Sequence, residues 1–134
     1  MANRYNHHNR RKNSLKAHIV LVTKYRKQLL KGSIADDVKQ KIFDIADTCG
    51  YEIIAMETDK DHVHFLIDYD TTDRVCDIAK IEKQETTYYL WQKYGSFLAK
   101  QYWNKRIFWS DGYFACSIGE VSSATIQKYI ESQG

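Results

Sequence analysis

Apolar and polar positions alternate through AHIVLV (17–22), with His18, Val20 and Val22 set against Ile19 and Leu21. A period of two predicts a strand. YEIIAMET (51–58) and HVHFLIDY (62–69) read the same way, and the polar DKD (59–61) between them predicts a hairpin over 51–69. Ile34, Val38, Ile42, Ile45 and Cys49 recur at helical spacing, with Gly50 as the stop. TTD (71–73) predicts the cap of a second helix that runs through Val75, Ile78 and Ile81 toward Tyr88, Trp91 and Gly95. SFLAKQYWNKRIFW (96–109) is read as part helix, with RIFW turning into a strand. SDG (110–112) predicts a turn, YFACSIG (113–119) a fourth main strand, and SSATIQKYIESQ (122–133) a closing helix capped by Ser122 or Ser123.

The order β-α-β-β-α-β, followed by α, places the chain in the α+β class. It predicts a ferredoxin-like sandwich: an antiparallel sheet with helices on one face, plus a C-terminal helix carrying Tyr129. A length of 134 residues, 43% of them hydrophobic, suits a single domain over 1–134 with one modest core. Residues 1–16 read as a basic N-terminal arm. That fold class hosts many functions and decides none of them.

Charge changes the picture. The net charge is only +3, but residues 1–35 hold nine Lys and Arg and no acid. The remainder holds eleven basic and seventeen acidic residues. A cationic entry segment on a net acidic body suits a polyanionic partner, although a solvated arm gives the same count. No apolar run is long enough for a membrane span or a secretion signal, so a cytoplasmic protein without membrane contact is expected. Cys49, Cys76 and Cys116 are far apart and form no CxxC pair, which argues against a disulfide framework or a zinc ribbon. The scattered glycines write no phosphate-binding loop, so no nucleotide cofactor is expected.

The candidate chemistry starts at Asp61-His62-Val63-His64. On a strand, His62 and His64 share a face at a spacing of roughly 6.5 Å and can converge on one divalent cation. Two half-exposed histidines on a sheet face fit the same pattern. In the closing helix Tyr129 and Gln133 are four apart and stack one turn over the other. Gln133 offers a hard carbonyl oxygen suited to Mg²⁺ or Mn²⁺, and Tyr129 a phenol beside it. An ordinary amphipathic helix with Ile126 and Ile130 facing the core would look no different.

HVHF (62–65) after TDKD (58–61), together with KYIESQ (128–133), resembles the insertion sequence 200/605 transposases, the single-tyrosine HUH transposases, in which U is a bulky apolar residue (here Val63). HIVLVTKYR (18–26), TTYYLWQKY (86–94) and FWSDGYFACSIG (108–119) resemble family segments in the same order, so the likeness covers nearly the whole chain. The resemblance implies that His62, His64 and Gln133 are metal ligands and that Tyr129 is the nucleophile. It also implies a homodimer that acts on single-stranded DNA with hairpin ends. The expected reaction is attack of the Tyr129 oxygen on a phosphodiester, giving a 5′-phosphotyrosine and a free 3′-OH, then strand transfer without ATP. Asp61, Lys128, Glu131 and water beside the metal are all open as the base. Expected phosphate contacts are Arg10, Arg11 and Lys12 in the arm, and Lys24, Arg26 and Lys27 in the following loop. Lys100, Lys105 and Arg106 are interleaved with Tyr102, Trp103 and Trp109, a mixture that suits stacked single-strand bases or a plain core hairpin. A nickase of replication, a processor of repeated palindromes, or a non-catalytic nucleic-acid-binding module are the alternatives.

Overall fold

Strand β1 (Leu15–Val22) lies inside a four-stranded antiparallel sheet of order β2-β3-β1-β4, where β2 is Glu52–Thr58, β3 His62–Tyr69 and β4 Phe114–Ser117. The computed structural model describes residues 14–117 and 123–133. Pairing β1 with β3 sets Ala17, Ile19 and Leu21 opposite Ile67, Phe65 and Val63, and all six are buried. This face packs on helix α1 (Gly32–Cys49) and helix α2 (Val75–Gln101) through Val38, Ile42, Leu90 and Leu98. Gly50 ends α1 in the left-handed conformation (φ 88°), donating its N–H to Ala46 O, which is the glycine stop that the periodicity predicts.

The other face of the sheet carries His18, Val20 and Val22 opposite Leu66, His64 and His62. Here the closing helix α3 (Ser123–Ser132) docks. Its Ile130 is buried against Val20 and Val22, with Ile126, Tyr129 and Phe114 packed around them. The α+β sandwich is as expected, with two helices on one face and the tyrosine helix on the other.

Several boundaries differ from the sequence reading. Helix α2 starts at Val75, behind Arg74, with no side-chain cap; residues 70–73 close a turn of their own in which Asp73 N–H donates to Asp70 O. The helix kinks at Tyr94 (φ −121°, ψ 27°), next to the Gly95 toward which the sequence reading runs it, and continues to Gln101, the part of 96–109 read as helical. RIFW is not a strand: among the described residues Trp109 makes one isolated bridge with Thr23. The Trp91 and Trp109 indoles donate to Ile107 O and Thr86 Oγ1, which anchors this segment by side chains instead of a ladder. Strand β1 begins at Leu15, two residues inside the expected basic arm. Strand β2 carries a bulge between Ile53 and Ala55. The extra residue lets Ile53 and Met56, three apart, both pack toward the core. The Ser122 cap and residues 118–119 of the fourth strand lie outside the described residues.

Candidate active site

The HVH spacing does what strand geometry requires. His62 and His64 project from the same face of β3, their rings stacked with centroids 5.9 Å apart. Each has one ring nitrogen already engaged. His62 Nδ1 lies 3.0 Å from Asp61 Oδ1. His64 Nδ1 lies 3.1 Å from His18 Nε2, on the neighbouring strand. A protonated Nδ1 on each ring leaves both Nε2 lone pairs free, which is the arrangement of a metal-binding imidazole held by a second partner. Burial, followed by the charge of His62, pulls the His64 pKa below its ordinary value, while Glu57 opposes this. Burial and His64 do the same to His18. Neutral imidazoles are the ligating form. Burial pushes the Asp61 carboxyl up, but hydrogen bonds from His62 and Arg26 outweigh it and the net shift is downward. The donor set therefore fits a divalent cation at His62 and His64. Among the described residues no group of three or more His, Cys, Asp and Glu side chains is arranged to hold one.

Tyr129 sits on the same face. Its ring packs 5.3 Å from that of Phe114, whose cross-strand partner Val20 is also the partner of His64. Its hydroxyl is buried and, among the described residues, has no hydrogen-bond partner. Burial, with Tyr113 nearby, pushes the phenol up to about 12. The backbone of Gly112 passes close: a Cβ there would lie 3.7 Å from the Tyr129 hydroxyl. Lys83 fixes that turn, its ammonium donating to the carbonyls of Ser110 (2.7 Å), Asp111 (2.8 Å) and Gly112 (3.2 Å). Gln133 follows the last turn of α3 and lines a cavity of about 440 Å³ with Lys24, Tyr25, Asp111 and Gly112. His64 and His18 line a different cavity.

The expected DNA contacts divide. Arg10, Arg11 and Lys12 lie outside the described residues. Arg26 donates to Asp61 (3.3 Å) and to the carbonyl of Glu131 in α3 (3.4 Å), so it braces the site from within. Lys24 pairs with the exposed Asp111 at 3.3 Å. Lys27 lies over the Tyr102 and Trp103 rings. Lys100, Lys105 and Arg106 are exposed, with Arg106 over Trp91. Of the aromatics interleaved with them, Tyr102 and Trp109 belong to the core and only Trp103 is open to solvent.

Sequence reasoning missed His18 and Lys83. The alternation of β1 put His18 on the face shared with Val20 and Val22, but its contact with His64 depends on the β1–β3 register. Lys83 reads as a solvated helix lysine until the turn at 110–112 folds back to it.

The sheet face thus carries two imidazoles, each with one ring nitrogen engaged, and a docked helix bearing Tyr129. Comparison with known proteins identifies the family. Residues 11–133 match the family described as "Transposase IS200 like". The chain is 35% identical to the ISDra2 transposase TnpA of Deinococcus radiodurans over 89% of this chain and 84% of that protein. It is 28% identical to the transposase for insertion sequence element IS200 of Salmonella typhimurium over 88% of this chain and 76% of that one. A crystal structure from Deinococcus radiodurans R1, assigned as a transposase, superposes with a TM-score of 0.83 at 30% identity, covering 90% of this chain and 92% of the other. A REP-associated tyrosine transposase bound to a REP hairpin shares the fold (TM-score 0.56, 14% identity, 87% of this chain and 62% of the other). The chain belongs to the IS200-like transposase family.

Proposed function

We propose that this transposase cleaves and rejoins single-stranded DNA at the ends of an insertion sequence through a covalent bond to Tyr129. The supporting observation is that Tyr129 packs on the one sheet face that also presents His62 and His64. The Tyr129 oxygen attacks the phosphorus, a Tyr–O–P bond forms and the P–O3′ bond breaks. The phenol gives up its proton, and the leaving 3′ oxygen takes one up. A second 3′-OH reverses the exchange, joining a new strand and freeing the phenol, so no net phosphodiester energy is lost. Mg²⁺ or Mn²⁺, held by Nε2 of His62 and His64 and by the Gln133 side-chain oxygen, would draw charge from the scissile phosphate. With the proton on Nδ1 of each ring, the contacts to Asp61 and His18 would hold the two imidazoles with Nε2 free for the metal. The buried hydroxyl of Tyr129, unpartnered among the described residues, is a polar group whose desolvation a phosphate oxygen would relieve. Subterminal hairpins as the recognised feature and a homodimer as the working unit complete the reading; a neighbour of the same fold is bound to a REP hairpin.

The test is a single-stranded oligonucleotide carrying an element end. An SDS-stable adduct is expected, lost with EDTA and with Tyr129→Phe. The Phe variant should melt no lower than the wild type, because the hydroxyl it removes has no partner among the described residues. An adduct that survives Tyr129→Phe, or that forms equally well in EDTA, would overturn the mechanism.

A further inference from the structure

Among the described residues, four that are not glycine adopt left-handed backbone angles: Tyr25 (φ 62°), Arg26 (52°), Trp103 (52°) and Asn104 (64°). Bulky side chains rarely do so, and the conformation persists only where its surroundings impose it. Here they do. Arg26 N–H donates to Thr23 O (2.9 Å), Lys24 N–H to Phe108 O (2.8 Å) and Asn104 N–H to Ala99 O (3.0 Å). The buried Tyr102 hydroxyl donates to Lys24 O at 3.1 Å and ties the two loops together. The strain turns two rings outward: Tyr25 is 51% exposed and Trp103 68%, edge to face with centroids 6.1 Å apart. Cations surround them. Lys24 Nζ lies 5.5 Å from the Tyr25 ring, and Lys27 Nζ lies 5.5 Å from the Trp103 ring. Among the described residues no carboxylate is paired with Lys27. Tyr25 also lines the cavity that holds Ser132 and Gln133, so its ring adjoins the Gln133 side of the candidate active site, with Trp103 against it.

We infer that Tyr25 and Trp103 form a stacking platform for unpaired bases of the DNA strand at the candidate active site, with Lys24 and Lys27 holding its phosphates. The inference rests on the reading of this chain as acting on single-stranded DNA. Every base offers a π-face to an open ring, whereas bases inside a duplex are covered by their neighbours. The surrounding cations, on a segment that carries nine basic residues and no acid, complement a polyanion rather than an apolar protein surface.

Tryptophan emission reads the platform directly, because Trp91 and Trp109 are buried (7% and 5% exposed) and Trp103 is open. The full chain carrying Tyr129→Phe, which cannot form the adduct, is titrated with oligothymidylate of about 12 nucleotides and with its oligoadenylate duplex. The single strand should quench the emission and the duplex should not. Trp103→Phe should abolish the quenching yet keep the affinity. Tyr25→Gly and Trp103→Gly suit the left-handed backbone and remove the ring; each should weaken binding about tenfold without changing its salt dependence. Lys27→Ala should instead lower the salt slope by about one. Unaltered affinity in both glycine variants, with melting temperatures showing that both are folded, would overturn the platform. So would quenching that rises with protein concentration in the absence of DNA, which would mark a contact between copies of the chain. The covalent-adduct assay on the wild type separates the two proposals. Loss of the adduct with the platform results intact would sink the chemistry alone; a normal adduct with wild-type binding in both glycine variants would sink the platform alone.

Discussion

An imidazole that must offer one nitrogen outward needs its other nitrogen held. His62 has Asp61 for this, two atoms of one turn, and the DHVH string shows that much in the sequence. His64 has His18, 46 residues away, and only the strand register brings them together. The shared face of the two imidazoles is therefore legible in the sequence, and the partner of the second is not. If His18 positions His64, His18→Leu should weaken Mn²⁺ binding, measured by titration calorimetry or Mn²⁺ paramagnetic resonance, by roughly ten- to a hundredfold. His18→Gln, which can still hydrogen-bond Nδ1, should restore most of the affinity. Nitrogen NMR shifts of the His64 ring should report mixed tautomers in the Leu variant alone. Equal Mn²⁺ affinity in the wild type and the Leu variant would reduce His18 to a packing residue.

At the scale of elements, strands and helices with long periodic patterns came out where the apolar spacing put them: β1, β3, α1 and α3. The misread pieces are those whose geometry is set by distant side chains. RIFW has strand composition, yet the Trp91 and Trp109 indoles and the Tyr102 hydroxyl hold 107–109 as an extended connection. The β2 bulge is likewise hidden, because EIIAMET alternates acceptably in either register. The turn at 110–112 passes close to the Tyr129 hydroxyl, and a single ammonium from α2 closes it. Removing that ammonium by Lys83→Met leaves three carbonyls without their donor. Loss of about 1–3 kcal/mol in urea unfolding is expected, together with faster amide exchange confined to residues 110–114. Exchange unchanged in that turn would show that the lysine does not hold it.

At the scale of the whole molecule, two carboxylates are buried among the described residues, Asp68 (3% exposed) and Glu82 (0%). Glu82, on α2, is fully buried and accepts a hydrogen bond from the Tyr51 hydroxyl; among the described residues its Oε1 has no partner. Burial pushes its carboxyl up to about 8, against the opposing hydrogen bond from Tyr51 and the charge of Lys41. The folded chain thus holds this proton over a range where the unfolded chain, with an ordinary carboxyl, has lost it. The sign follows: stability from the neutral form is fully present below the unfolded pKa and is lost as pH rises through about 8. Stability should fall between about pH 5 and 8, by on the order of a few kcal/mol, and Glu82→Gln should flatten that dependence and melt higher than the wild type at pH 8. Parallel melting curves for the two proteins across pH would contradict this. The sequence hinted at an acid in the wrong place, since Glu82 falls on the Ile78 side of a helical stripe, but only the folded core shows that it has nowhere else to go.

The left-handed residues near the candidate site have an evolutionary consequence. An aromatic side chain held at φ near 60° costs about 1–2 kcal/mol relative to glycine. A population of variants selected for heat resistance alone should therefore drift to glycine or asparagine at positions 25 and 103; Asn104, at φ 64°, is already a residue type that tolerates this conformation. Selection that also demands strand capture should keep both rings. The two lineages would part at these positions first, which makes them a readable record of whether a given copy of the gene is still under selection to move DNA.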